Sequence, residues 1–144
     1  MRENTIRFRE LVYGCAPEHL KNGDWMDLRN AWATQLKAGE YALLSLGIAV
    51  ELPKGYEALV VPRSSTFKWF GIIQTNGIGV IDESYCGDDD EWHMPVYATR
   101  DIVIPEFARI AQFRIIKHQP NFELVKCEIL NNKSRGGVGS TGVF

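Results

Sequence analysis

A chain of 144 residues, 45% hydrophobic and 24% charged, is long enough to bury the core of one domain without disulfides or metal. Its net charge of −2 offers no positive field to nucleic acid, and its longest apolar runs are far too short to cross a bilayer. Three scattered cysteines, Cys15, Cys86 and Cys127, point to reduced thiols in a cytoplasm. Pairing Cys15 with His19, or Cys86 with His93, falls short of a four-ligand zinc site. No apolar stretch follows Met1-Arg2-Glu3-Asn4, so no signal peptide is expected.

Along the chain the dominant period is two, with β-branched and aromatic residues in short bursts. The pattern predicts strands over residues 5–8, 41–50, 56–61, 71–75, 79–81, 95–99, 109–116 and 123–129. Leu52-Pro53-Lys54-Gly55, Asn76-Gly77 and Ile104-Pro105-Glu106 read as the turns between them. Helix signals are weak: residues 16–20 and 64–69 each suit a turn or two, the second with Ser64 as N-cap. The spacing is that of an all-β sandwich or barrel rather than of βαβ units. A boundary near Asn131-Asn132 divides a β domain, residues 1–131, from a tail, residues 132–144.

Three stretches are unusually polar for their apolar settings. In "VVPRSSTF" a strand ends at Pro62 and presents Arg63, Ser64 and Ser65. An arginine fork beside hydroxyls suits a phosphate oxygen, although an ordinary strand-to-turn cap looks the same. In "NGIGVIDESYCGD" a tight turn at Asn76-Gly77 leads into Val80 and Ile81, read as buried strand, and then Asp82. Desolvation there would raise the Asp82 pKa toward what a general base needs, whereas a turn-capping aspartate is the commoner use. In "RIAQF", Gln112 sits within an apolar strand and needs partners if it is buried. The acidic run from Asp88 to Glu91 reads as a solvated hairpin tip.

The tail "SRGGVGSTGVF" has glycine at four of the seven positions from Gly136 to Gly142. A Walker loop would need a lysine before its Ser/Thr and a helix after it, and a Rossmann turn would need a following βα unit. Neither fits. A frayed terminus and a mobile arm that orders around a ligand both remain open on composition alone.

Taken in order, these stretches resemble the five motifs of the homotrimeric deoxyuridine triphosphate nucleotidohydrolases, the dUTPases. "GDWMDL" is similar to the first, "PRSST" to the second, "NGIGVIDESYCGD" to the third, "RIAQF" to the fourth and "RGGVGSTG" to the fifth. Relatives from Gram-positive bacteria and their phages share "GDW", "PRSST" and "VIDESY". The resemblance implies a jelly-roll-like β-sandwich protomer, a homotrimer whose active sites draw on all three subunits, and a flexible arm that closes over a neighbour's nucleotide.

The implied reaction is Mg²⁺-dependent hydrolysis of dUTP to dUMP and pyrophosphate. By resemblance, Asp82 activates water for attack on the α-phosphorus, Gln112 helps place it, and Asp27 holds the ion through water. Arg63, Ser64 and Ser65 match phosphate contacts. Asn76, with the backbone of Gly79, Val80 and Ile81, matches a β-hairpin that imitates pairing to uracil, and Tyr85 the ring under deoxyribose. Arg135, Gly137, Gly139, Ser140 and Thr141 match the closing arm. Three departures stand out: Trp25-Met26 before Asp27, Ser65 in place of glycine, and Val138 where an aromatic ring normally stacks on uracil. His93 is the expected substitute ring, with Trp92 assigned to core or interface and Phe144, at the free terminus, as the alternative. Two rivals remain, a dCTP deaminase of the same superfamily, for which Glu91 is the only nearby candidate for the catalytic glutamate needed after the third motif, and a regulator that uses the nucleotide fold to bind a protein.

Overall fold

The structure is a computed structural model that describes residues 4–144; residues 1–3, part of the segment read for a leader and the start of the expected β domain, lie outside the described residues. Eleven strands and one short helix follow in chain order: β1 (Arg7–Glu10), β2 (Glu18–His19), β3 (Met26–Arg29), β4 (Thr34–Leu36), β5 (Tyr41–Glu51), β6 (Tyr56–Pro62), α1 (Thr66–Phe70), β7 (Ile72–Gln74), β8 (Gly79–Ile81), β9 (Glu91–Ala98), β10 (Ile102–Ile104) and β11 (Arg109–Lys117). They form a four-stranded sheet ordered β1-β5-β9-β7, a five-stranded sheet ordered β2-β3-β11-β6-β8, and a small β10-β4 pair. Every pairing is antiparallel. This is the all-β sandwich expected of the period-two pattern, in the jelly-roll-like form that the family resemblance implies.

The two large sheets meet across one core. From β5 come Leu44, Leu46, Ile48 and Val50, and from β9 Trp92, Met94, Val96 and Ala98. The facing sheet supplies Leu28, Ala58, Val60, Ala111 and Phe113. Trp92 meets Phe113 edge-on, with ring centroids 5.1 Å apart and planes at 83°. Aromatic pairs favour this arrangement because the positive ring edge faces the negative ring face. Trp92 is thus core, as expected, which turns His93 to the opposite face of β9. Gly47, at φ 69°, lies where β5 breaks register with β9, and a Cβ there would fall 2.7 Å from Cys15 Sγ.

Four expectations are corrected. Residues 16–20 form no helix but contain β2, whose pairing with β3 outweighs a weak local preference. Residues 123–129 form no strand; their alternation is genuine, but among the described residues no strand pairs with them and residues 117–144 are all exposed. Val80 is exposed rather than buried, because β8 pairs only with β6 and forms the edge of its sheet. Finally, β7 and β8 do not pair as a hairpin. They belong to different sheets, and the Asn76-Gly77 turn carries the chain across.

Candidate active site

Asp27 lies on β3 directly opposite Gln112 of β11 and is 3% exposed. Its Oδ2 is 3.1 Å from Arg63 Nε and 3.6 Å from Arg109 Nη1, yet neither contact has hydrogen-bond alignment. Arg109 also approaches Glu18, which binds Arg29 at 2.6 Å. Three arginines therefore face two carboxylates, leaving one positive charge in excess beside a pocket of about 270 Å³ lined in part by Asp27, Arg63, Ser64 and Gln112. Such a corner suits an anion with several oxygens.

Local structure explains the alignment. The Thr66 hydroxyl accepts from Arg63 N at 2.9 Å and donates to Ile110 O at 2.8 Å, tying the turn to β11. The N-cap of α1 is Ser65 rather than the expected Ser64, and its side chain makes no capping bond. Ser65 is half-buried and Ser64 exposed. Gln112 Nε2 donates to Pro62 O at 3.1 Å, which meets its expected need for a partner. A bulge between Arg109 and Ala111 interrupts the alternation of β11, and Arg109 and Gln112 both come to flank Asp27.

A second group clusters around the turn after β7 and the loop after β8. Asn76 is exposed, and its Oδ1 accepts from Gln74 Nε2 at 2.8 Å. Gly79, buried, and Val80 and Ile81 pair with Val60, Leu59 and Ala58 of β6. Asp82 follows at the strand end, fully exposed, where its Oδ1 accepts from the Ser84 hydroxyl at 2.6 Å and the Ser84 amide at 2.8 Å. Those two bonds, the hydroxyl's first, hold the Asp82 carboxyl below the ordinary carboxylate range; His118 adds to the effect and slight desolvation opposes it. The expected upward shift is thus corrected, because the donors Asp82 gains outweigh the little water it loses.

Tyr85 and His93 converge on one atom. The Tyr85 hydroxyl donates to Glu91 O at 2.9 Å, and His93 Nδ1 lies 3.0 Å from the same oxygen. The Glu91 carboxylate contacts Ser45 Oγ and lies 3.5 Å from His93 Nε2. It is therefore engaged on the outer face of the β1-β5-β9-β7 sheet. Arg135, Gly137, Gly139, Ser140 and Thr141 meet neither group: the arm's hydrogen bonds are local turns such as Ser140 N to Gly137 O at 3.0 Å.

Register measures the separation of Asp82 from the arginine corner. Asp82 follows Ile81, which pairs with Ala58, so it stands level with Glu57. Arg63 is six residues further along β6, about 20 Å at the usual rise of ~3.3 Å per residue. Sequence reasoning missed Arg109, Gln74 and the Glu91 carbonyl as parts of these groups. A strand arginine carries no local signal, Gln74 gains meaning only from its burial, and a backbone oxygen has no signature at all.

For a divalent cation, Asp27 offers one buried oxygen without a hydrogen-bond partner, and the described residues include no group of three His, Cys, Asp or Glu side chains that could cage an ion. This donor set fits an ion held chiefly by phosphate oxygens and water.

With this geometry in view, comparison with known proteins is direct. The family model described as dUTPase matches residues 25–142. The SPbeta prophage-derived deoxyuridine 5'-triphosphate nucleotidohydrolase YosS of Bacillus subtilis (strain 168) is 56% identical over 123 residues, 85% of this chain and 87% of the relative. The deoxyuridine 5'-triphosphate nucleotidohydrolase of Rickettsia akari (strain Hartford) is 37% identical over 143 residues, 96% and 95% of the two chains. Among solved structures, the Staphylococcus bacteriophage 80alpha dUTPase with dUpNHpp superposes with a TM-score of 0.81 at 23% identity, over 98% of this chain and all of that one. The Streptococcus mutans dUTPase gives 0.69 at 19% identity, over 85% and 98%. These structures share the fold. The chain belongs to the dUTPase family, and its class is that of a deoxyuridine triphosphate nucleotidohydrolase.

Proposed function

We propose that the chain hydrolyses dUTP to dUMP and pyrophosphate as a homotrimer, in sites assembled from three copies. The observation that carries this reading is the separation along β6. Arg63, Ser64, Gln112 and Asp27 gather at one end, Asp82 and Tyr85 at the other, and a nucleotide must touch both. A distance of about 20 Å is too long for one nucleotide, whereas a second copy brings its phosphate corner to the first copy's base loop. The exposed arm, residues 132–144, then has a third copy's site to cover. Residues 119–131 carry Phe122, Leu124, Val125, Ile129 and Leu130, all exposed in the single chain, and neighbouring copies supply the cover they lack.

In this reading Asp82 accepts a proton from water as the water oxygen attacks the α-phosphorus. The bond from that phosphorus to the oxygen bridging to the β-phosphorus breaks, and pyrophosphate leaves with the bond electrons. Gln112 orients the water or the α-phosphate. Arg63, Ser64 and Ser65 bind phosphate oxygens, and the excess positive charge of their corner offsets charge carried to the leaving group. Asn76 and the backbone of Gly79, Val80 and Ile81 read the base, Tyr85 packs under deoxyribose, and His93 stacks on uracil. Arg135, Gly137, Gly139, Ser140 and Thr141 close over the phosphates. Mg²⁺, held near Asp27 through water, would neutralise triphosphate charge.

A mutant of the dUTPase from phage phi11 of S. aureus coordinates a structural Mg(II) ion, so the fold accommodates that metal in a structural place; the role beside the triphosphate rests on the donor set at Asp27. Free thiols at Cys15, Cys86 and Cys127 agree with a reducing, cytoplasmic setting, and among the described residues no helix is long and apolar enough to cross a membrane. The deciding assay is incubation with dUTP and Mg²⁺. Pyrophosphate without ammonia is expected. Ammonia from dCTP would install the deaminase reading, and neither product would install the binding protein.

A further inference from the structure

Gln74 is 5% exposed, yet nothing in the mechanism above uses it. Its Nε2 lies 3.0 Å from Val60 O and 2.8 Å from Asn76 Oδ1. A backbone carbonyl can only accept, so the Gln74 amide must turn its NH₂ group toward Val60. The same NH₂ group then donates its second proton to Asn76, and the Asn76 amide must turn its oxygen inward. Its own NH₂ is left facing out of the turn, toward solvent. Gly79 keeps this chain of bonds open. A Cβ there would come within 3.2 Å of Val60 Cβ, 3.3 Å of Val60 O and 3.4 Å of Gln74 Nε2. Gly79 has no left-handed φ to explain it, so close approach is its requirement. The arrangement also has a cost: Gln74 Oε1 is buried without a partner. A residue kept at that cost has work to do through its other end.

We infer that Gln74 is a specificity-determining positioning residue: by fixing the Asn76 amide with its NH₂ outward, it makes the base site demand an acceptor at pyrimidine position 4. Uracil presents a carbonyl oxygen there and cytosine an amino donor, so the relay rejects dCTP by leaving two donors face to face. The inference rests on the reading of Asn76 as a base contact.

The test compares dUTP and dCTP as substrate and as inhibitor for full-length Gln74→Leu, Gln74→Glu and Asn76→Ala. In Gln74→Leu the Asn76 amide is free to rotate, so KM for dUTP should rise about twofold, the cost of a half-populated competent orientation, with kcat unchanged. Inhibition by dCTP should strengthen by a similar factor. Gln74→Glu should go further. Ionised, its carboxylate can only accept from Asn76; protonated, its hydroxyl donates its one proton to Val60 O and the hydroxyl oxygen accepts from Asn76. Either way Asn76 Oδ1 turns outward, and the preference between dCTP and dUTP should shift toward dCTP beyond that of Gln74→Leu. A merely structural Gln74 would lower activity toward both nucleotides without changing their ratio, and that result overturns the inference. So does a wild-type ratio in Gln74→Glu, provided circular dichroism shows it folded; if it unfolds, the ratio in Gln74→Leu decides. Unchanged dUTP kinetics in Asn76→Ala would instead overturn the reading of Asn76 beneath it.

Discussion

Two hydrogen bonds from Ser84 decide how Asp82 behaves as a base, and both act on the ionised form. The folded chain binds its proton less readily than the unfolded chain does, so the carboxylate is charged at neutral pH without help from a partner. The stability linked to this shift is present above the ordinary carboxylate range and lost as pH falls through the lowered folded value. For turnover the same sign applies. The acid limb of kcat/KM attributable to Asp82 should lie below that range in the native enzyme, and Ser84→Ala should move it upward. Asp82→Asn should keep the fold, since the side chain is exposed, and should bind a non-hydrolysable dUTP analogue. Its turnover should fall by about 10²–10⁴-fold. Near-native turnover would remove Asp82 from its role. His93 is argued from position rather than charge. The Glu91 carbonyl holds Tyr85 and His93 together, so the ring expected to stack on uracil and the ring expected under the sugar share one anchor. His93→Ala should raise KM for dUTP several-fold and His93→Phe should recover it, because base stacking on an aromatic ring contributes roughly 1–3 kcal/mol. Loss caused instead by removing Phe144 alone would move the ring to the tail.

At the scale of elements, the arm has the least to lose when removed. Residues 134–144 are exposed throughout, and their hydrogen bonds stay within the arm. Deleting them should leave thermal stability and sedimentation unchanged while turnover falls to a small fraction, because closure and not packing is removed. Full activity, or dissociation into monomers, would contradict this. The elements also show what was legible beforehand. Long apolar strands such as β5, β6 and β11 stand out by composition, since each buries a continuous stripe. The strand β3, with sequence MDLR, does not, because it buries Asp27 against arginines that arrive from β6 and β11. Two- and three-residue strands such as β2 and β4 exist through partners rather than propensity. The first residue of β9, Glu91, was hidden at the end of an acidic run, although Trp92 beside it is fully buried, as expected. Site residues were legible through family likeness, whereas Gln74 and Arg109 depend on contacts between strands far apart in sequence.

The whole molecule adds a constraint that neither residue nor element carries. If one copy supplies Asp82 and another the arm, two inactive proteins can make an active site together. The chain lacking residues 134–144 keeps an intact Asp82, and the Asp82→Asn chain keeps an intact arm. Mixed before assembly, for example by joint refolding, the two should form hybrid trimers. Some sites in a hybrid combine a native base loop from the truncated copy with a native arm from the other, while the phosphate corner is native in both. Activity should therefore reappear as a fraction of the native rate set by the mixing ratio, and should vanish when either component is in large excess. Tagging each component and purifying through both tags confirms that hybrids are present. Hybrids without activity would mean that base and arm must come from the same copy. In that case the arm would have to fold back across its own chain, and each site would draw on two copies rather than three.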